Sequence, residues 1–373
     1  MTALKKTGIY IHVPFCRYKC PYCDFYSVTL SEKLLDRYID ETVRRIRALA
    51  SNDLCADTVY FGGGTPSLLG GSRIARIMEA LRRCVTVADE AEITVEANPT
   101  SYLGDFLEGC AASGINRLSL GMQSAVKKEL SAIGRRHTPD DVLRAMEQAH
   151  RCGIHDISLD LMLGIPMQTS DSLTESLRFI EKAAPSHISA YMLKIDEGTP
   201  FYRIQYALPL ADEDTLADMY EQTFDVLEQA GYAQYEISNA SKPGFESRHN
   251  LKYWNCDEYI GIGPSAHGFF EGRRYYYDRS IQGYLSGDKP HDDGEGGSIE
   301  EYVMLRLRLA EGLTDAGMRE RFGTDIPSAL RQRAASPVMK PYCVCDDKSV
   351  RLTRKGMLIS NAIICDLTEL LSK

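Results

Sequence analysis

Residues 10–23 read YIHVPFCRYKCPYC, and the rest of the chain is best interpreted from this stretch. A strand-like run, Tyr10 to Val13, breaks at Pro14 and opens into a turn carrying Cys16, Cys20 and Cys23. The next cysteine is Cys55, so three thiols stand together and a fourth is missing. An iron–sulfur cubane held by protein alone takes four thiolates, and three leave one iron open to a small molecule. Catalytic zinc sites differ from structural ones in the same way, by an open position. Spacing alone leaves zinc as an alternative, with His12 or Asp24 as the fourth ligand. Structural zinc sites usually supply two separated pairs, however, and Cys343 with Cys345 is remote and wrongly spaced for one.

Outward from the turn, strand-like runs at 9–13, 58–61, 93–97, 117–120, 157–161 and 187–192 alternate with helical periods near 32–50, 72–84, 104–113, 139–151 and 171–183. These are six repeated βα units, the pattern of a parallel sheet covered by helices. Residues able to do chemistry follow the strands: Gly62-Gly63-Gly64-Thr65, Glu96 with Asn98 and Pro99, Gln123, Asp160 and Lys194. In (β/α) barrels the carboxyl ends of the strands form the active face. A helix at 213–230 and one more strand at 232–237 come next, then a loop-rich region. The polar stretch 287–298 is the best linker. Beyond it the pattern predicts a helix at 300–311, a strand at 350–356 and a closing helix at 357–371. The expected division is a barrel over 1–235, a connecting region over 236–297, and a small winged-helix-like α/β domain over 298–373.

The 373 residues are 44% hydrophobic, enough to fill a core, and carry a net charge of -9 without a lysine and arginine block. That argues against nucleic acid as a partner. The start, Met1 to Lys6, lacks an apolar h-region and no later run approaches a membrane span, which predicts a soluble cytoplasmic protein. Eleven cysteines, an odd number, point to reduced thiols rather than a disulfide framework. Cys84, Cys110 and Cys152 fall in helical patterns and read as small buried hydrophobes.

The run YIHVPFC-x3-C-x2-CDF, followed by FGGGTPS at 61–67, VEANP at 95–99 and LSLGMQS at 118–124, resembles the radical S-adenosylmethionine superfamily. Within it, the resemblance is to anaerobic coproporphyrinogen oxidases and their relatives, over nearly the whole chain. It implies a partial (β/α)6 TIM-like barrel in which Cys16, Cys20 and Cys23 hold a [4Fe-4S] cluster. S-adenosylmethionine would occupy the fourth iron through its amino and carboxylate groups, with Tyr22 and Phe25 shielding the cluster. Tyr10, Gly63, Gly64, Thr65, Glu96, Gln123, Arg135 and Asp160 match family positions for that cofactor. Taken singly they are weaker: the glycines make a tight turn, Glu96 a helix cap, Arg135 a surface cation and Asp160 a salt-bridge partner.

Two departures separate this chain from the oxidases proper, which carry C-x3-C-x2-C-x-C and a long segment before the barrel. Here Phe25 stands at the extra cysteine position, and nine residues precede Tyr10. Both favour the HemW-type group of heme chaperones, whose H-N-x-x-Y-W appears as His249, Asn250, Tyr253 and Trp254. A histidine can ligate heme iron, and flat aromatic faces can pack on a macrocycle; the ordinary alternative is a hydrogen-bonded structural histidine. His267 is a second candidate, near the cofactor or bonded in the core. The implied function is to hold heme, with the cluster and S-adenosylmethionine, and pass it to acceptor proteins of respiration, which lie at membranes, as a monomer or homodimer. The alternative is oxidative decarboxylation of coproporphyrinogen III, or another radical S-adenosylmethionine reaction on a porphyrin.

Overall fold

The computed structural model describes residues 5–51, 54–99 and 103–371; Met1 to Leu4, on which the reading of the start partly rests, lie outside the described residues. The strands are β1 (Lys5–Val13), β2 (Phe15–Cys16), β3 (Val28–Thr29), β4 (Leu54–Gly63), β5 (Thr86–Ala97), β6 (Arg117–Gln123), β7 (Asp156–Leu163) and β8 (His187–Met192). They continue as β9 (Ala233–Gln234), β10 (Asn239–Ser241), β11 (Tyr259–Ile262), β12 (His267–Phe270), β13 (Arg273–Tyr276), β14 (His291–Glu295), β15 (Leu313–Thr314), β16 (Cys343–Cys345) and β17 (Ser349–Leu352).

The six strands expected from the sequence are β1, β4, β5, β6, β7 and β8, parallel neighbours in that order at the centre of a twelve-stranded sheet. Each connection passes through a helix, as a parallel sheet requires. The helices begin where the chemistry allows: Thr138 and Asp141 form a reciprocal capping box with Pro139 at the first turn, and Thr169 with Ser172 does the same. Successive side chains of a strand point to opposite faces, and the register sorts them by polarity. Ile9, Val59 and Ile93 stand in one apolar row, and Ile11, Phe61, Val95, Leu118 and Ile157 in another. All of these belong to the main core with the helical residues Leu35, Ile39 and Ile74. The opposite face carries Tyr10 beside Tyr60, Glu96 beside Ser119, and Asp160 beside Ser189. The result is the partial (β/α)6 barrel, dry outside against its helices and polar inside.

Four readings change. The region read as loop-rich contains β11, which pairs in parallel with β1, and β12 to β14, which extend the sheet antiparallel from it. Residues 291–295, read as linker, are therefore the edge strand β14. Its side chains are polar because an edge strand is wet, and Arg273 pairs with Asp292 across the hairpin. The strand expected at 232–237 is only the two-residue β9, antiparallel at the far edge. The hexapeptide His249 to Trp254 lies in a short helix, Arg248–Trp254, capped by the Ser247 side chain.

The small sheet β15-β17-β16 lies apart from the main one in strand pairing, beside helices Asp315–Phe322 and Ser328–Ala334. The closing helix is broken at Ile359 into Arg354–Leu358 and Ser360–Thr368. Among the described residues no helix is long and apolar enough to cross a membrane.

Leu118 is fully buried in the central apolar row. Leu118→Ala should lower unfolding stability by about 2–5 kcal/mol, measured by chemical denaturation; a change under about 0.5 kcal/mol would mean the row does not carry the fold.

Candidate functional site

The cysteine turn is clamped at both ends. Cys16 and Phe15 form β2, which pairs with Val28 and Thr29 of β3 on the far side of the turn. The end of β4 is tied to the end of β1 by a hydrogen bond from Gly64 N–H to Val13 O, 2.8 Å. A Cβ at Gly64 would lie 2.6 Å from Phe15 O, and one at Gly63, whose φ is +111°, would lie 2.7 Å from the His12 ring. Gly64 lets one backbone approach another and Gly63 leaves room for the His12 ring, packing roles that the sequence reading, with its tight turn and cofactor contact, did not include.

One cavity of about 480 Å3 gathers Cys16, Cys20, Cys23, Gly63, Gly64, Thr65, Glu96, Gln123, Arg135 and Asp160. All eleven cysteines of the chain are free, and the three at the turn are part-exposed. Burial raises the Cys23 thiol, and the neighbouring Cys20 and Cys16 add to the shift. Among the described residues, no three His, Cys, Asp or Glu side chains are arranged to hold a single metal ion. A cubane spreads its thiolates over separate irons and does not need that convergence. Neither proposed fourth zinc ligand is free. His12 bonds Tyr10 through Nδ1 and Tyr26 O through Nε2, and Asp24 pairs with Arg279.

Inside the cavity Glu96 accepts from Tyr60 Oη at 2.9 Å and from Gly63 N–H at 3.2 Å. Its carboxyl keeps an edge on the cavity but is walled from bulk water, and burial, with Asp160 adding, pushes it up to about 7. Asp160 accepts from Ser119 Oγ at 3.2 Å and is pushed up to about 6 by burial. Arg135 donates to Asn98, and its Nε is buried without a partner among the described residues. Gln123 sits at φ +69°, where the pairing of β6 with β7 slips in register, and accepts from Tyr191 Oη at 2.7 Å. A left-handed non-glycine residue at a bulge is a costly way to aim a side chain. Two half-buried acids with raised pKa values, in one cavity with an orphaned guanidinium nitrogen, suit a small ligand carrying both positive and negative groups.

Tyr10 is not in this cavity. It lies behind it, where burial first and the nearby Glu96 carboxylate after it disfavour the phenolate, and lines a neighbouring cavity. Lys194 lines the site but pairs with Asp196 at 2.5 Å. Tyr60 and Tyr191 were missed by the sequence reading. Tyr60 is two residues from Gly62 on the same strand, and the period of two could have found it; Tyr191 is three residues from Lys194, and that period does not mark it.

The hexapeptide lies at the opposite, amino-terminal end of the strands. Its helix is capped by Glu92, which accepts from Arg248 and His249 N–H, and is anchored by the buried pair Lys252 and Asp57 at 2.9 Å. His249 is 0% exposed, bonds Thr58 Oγ1 through Nδ1 at 2.8 Å and Tyr253 Oη through Nε2 at 2.9 Å, and burial holds it down to about 3. It stacks under Tyr60 and Tyr10. Asn250 and Trp254 are half-buried, and the Arg308 guanidinium lies over the indole. The structure thus joins His249 to Tyr253 and keeps the hexapeptide out of the cavity that gathers the three thiols, Tyr253 alone of its named residues lining the neighbouring one.

The model of the radical SAM superfamily matches residues 10–180, and that of the HemN C-terminal domain residues 298–359. The chain is similar to the heme chaperone HemW of Bacillus subtilis, 33% identical over 95% of this chain and 97% of that one. It is 37% identical to heme chaperone HemW of Escherichia coli, over 83% and 85% of the two chains. Among solved structures, coproporphyrinogen III oxidase (HemN) from Escherichia coli superposes with a TM-score of 0.84, covering 98% of this chain and 90% of that one at 20% identity.

Between about 4.5 and about 7 the folded Glu96 binds more protons than the unfolded one, so stability falls as pH rises through that window. The melting temperature of ligand-free protein should therefore drop from about pH 5 to about pH 8, and drop less in Glu96→Gln. Parallel melting curves for the two proteins would show an ordinary carboxyl.

Proposed function

The chain belongs to the HemW family of heme chaperones within the radical SAM superfamily, and from this we propose that it binds heme and hands it to acceptor proteins. In this reading Cys16, Cys20 and Cys23 hold a [4Fe-4S] cluster. S-adenosylmethionine is held by Gly63, Gly64, Thr65, Glu96, Gln123, Arg135 and Asp160, with Tyr10 supporting Glu96 from behind. The observation that carries it is the convergence of three free thiols and two poised acids on one cavity at the carboxyl ends of the strands. A [4Fe-4S] cluster on three thiolates supplies an iron with an open coordination position. The chain's own part is to aim and insulate. Glu96 and Asp160 offer carboxyls that a cationic ligand would draw into the ionised form, Arg135 offers a half-buried cation to a carboxylate, and Gly64 keeps the turn against β4.

The heme contacts of His249, Asn250, Tyr253 and Trp254 belong to the same proposal. Tyr253 is the member of the hexapeptide that reaches a second cavity, whereas His249 would need to give up both ring hydrogen bonds to meet a metal. Residues 1–235, 236–297 and 298–373 serve as barrel, heme-linked region and small accessory domain. The acceptors are respiratory proteins met from the cytoplasm, by a monomer or homodimer.

Anaerobically prepared protein should contain iron and labile sulfide, and Cys20→Ser should lose most of both in elemental analysis. Hemin titration should give a Soret band that passes to an added apo-acceptor. Iron content unmoved by Cys20→Ser would sink the cluster assignment, and wild-type protein without a Soret shift would sink the heme reading.

A further inference from the structure

Beside the cysteine turn, and separate from the cavity that gathers the three thiols, lies a cavity of about 890 Å3. Resting on the heme-binding reading above, we propose that this cavity is the heme seat and that His267 is its iron ligand. Four observations lead there.

The first is the wall. Tyr10, Tyr253, Tyr259, Tyr276 and Tyr277 all line it, a concentration of aromatic surface suited to a flat apolar macrocycle. The sheet explains it. Tyr10 of β1 pairs with Gly261 of β11, where a Cβ would overlap His267 O, and the row continues through His267, Tyr276 and His291 on β12, β13 and β14. The antiparallel extension therefore prolongs the barrel's inner face sideways and leaves a glycine gap at its centre.

The second is the ligand. His267 is exposed and stacks on Tyr276 at 5.7 Å and 29°, and Tyr276 stacks on His291 at 5.1 Å and 21°. Its ring is held by one face, and among the described residues no hydrogen bond engages either ring nitrogen. The other histidine lining the cavity, His12, has both nitrogens taken, and so has His249 below. An axial ligand needs a free nitrogen on a positioned ring, and only His267 among these three offers it.

The third is the entrance. Phe25 is 69% exposed, a large apolar side chain at the mouth, and it lines both this cavity and the cysteine cavity, as Asp24 does. A macrocycle seated here would lie next to the cysteine turn. The fourth is charge. Asp24 is taken by Arg279 and Asp278 by His291, and Asp293 adds a further carboxylate; the described lining has no spare cation for a propionate, so propionates are favoured at the solvent edge and the apolar edge goes in first. Among the described residues lining the cavity no second histidine has a free ring nitrogen, so His267 would hold the group alone, which suits a molecule that must release its heme.

The test is titration with hemin and, in parallel, with metal-free protoporphyrin IX, followed by absorbance and fluorescence. His267→Ala should weaken hemin binding roughly 10–100-fold, recover its Soret shift when imidazole is added, and leave protoporphyrin IX binding and the melting temperature as in wild type. Tyr276→Phe should keep the hemin spectrum, and Tyr276→Ala should weaken it. If wild type binds hemin but His267→Ala has the same affinity and spectrum, the inference falls and the chaperone reading stands. If His267→Ala loses protoporphyrin IX as well, His267 shapes the cavity and is not the ligand, which also overturns the assignment. If wild type binds no hemin, both readings fall together.

Discussion

The contact on which the site depends is one of backbone on backbone. Just past the end of β4 Gly64 meets the Phe15 carbonyl of β2, and beside it Gly63 meets the His12 side chain of β1, with no room for a side chain at either position. Only glycine permits that approach. The cysteine turn begins at Phe15 and Cys16, so this contact sets its height over the barrel mouth. It also delivers Gly63 N–H to Glu96. A larger residue at either glycine would lift the turn and loosen the carboxyl in the same motion.

The inner face of the sheet shows why function collects there. A parallel strand buried on both faces is normally apolar throughout, yet here alternate residues are tyrosine, serine, aspartate and glutamate. Most find partners inside: Tyr60 with Glu96, Ser119 with Asp160, Tyr191 with Gln123, and His187 with Ser158 and Tyr235. Buried polar groups cost free energy unless they are hydrogen-bonded. The atoms left over are informative for that reason, and Arg135 Nε is one of them. At the other end of the strands His249, fully bonded, acts as a packed plug under the same row of rings.

The barrel was legible because its signals are local. Six strand–helix repeats, capping threonines and glycines at strand ends can be read within windows of a dozen residues, and the cysteine spacing can be read within eight. The edge strand β14 was not legible, since His291 to Glu295 makes sense as a strand only once Tyr275 is opposite Asp292 and Arg273 reaches over to pair with it. The hexapeptide looked like an exposed loop because its helix is seven residues long and its anchors, Glu92 and Asp57, come from strands more than 150 residues earlier. Tyr10 was grouped with the residues of the cysteine cavity by motif, whereas its place on β1 turns it toward the neighbouring one.

Strand β14 also closes one side of the twelve-stranded sheet. Open sheet borders offer unpaired amide groups that can template onto a second molecule. Here Asp292, Asp293 and Glu295 give every copy the same negative fringe, so two such borders repel when they meet side by side. Strong salt or acid removes that repulsion, and the molecule is then most exposed to sheet-to-sheet clumping along this border.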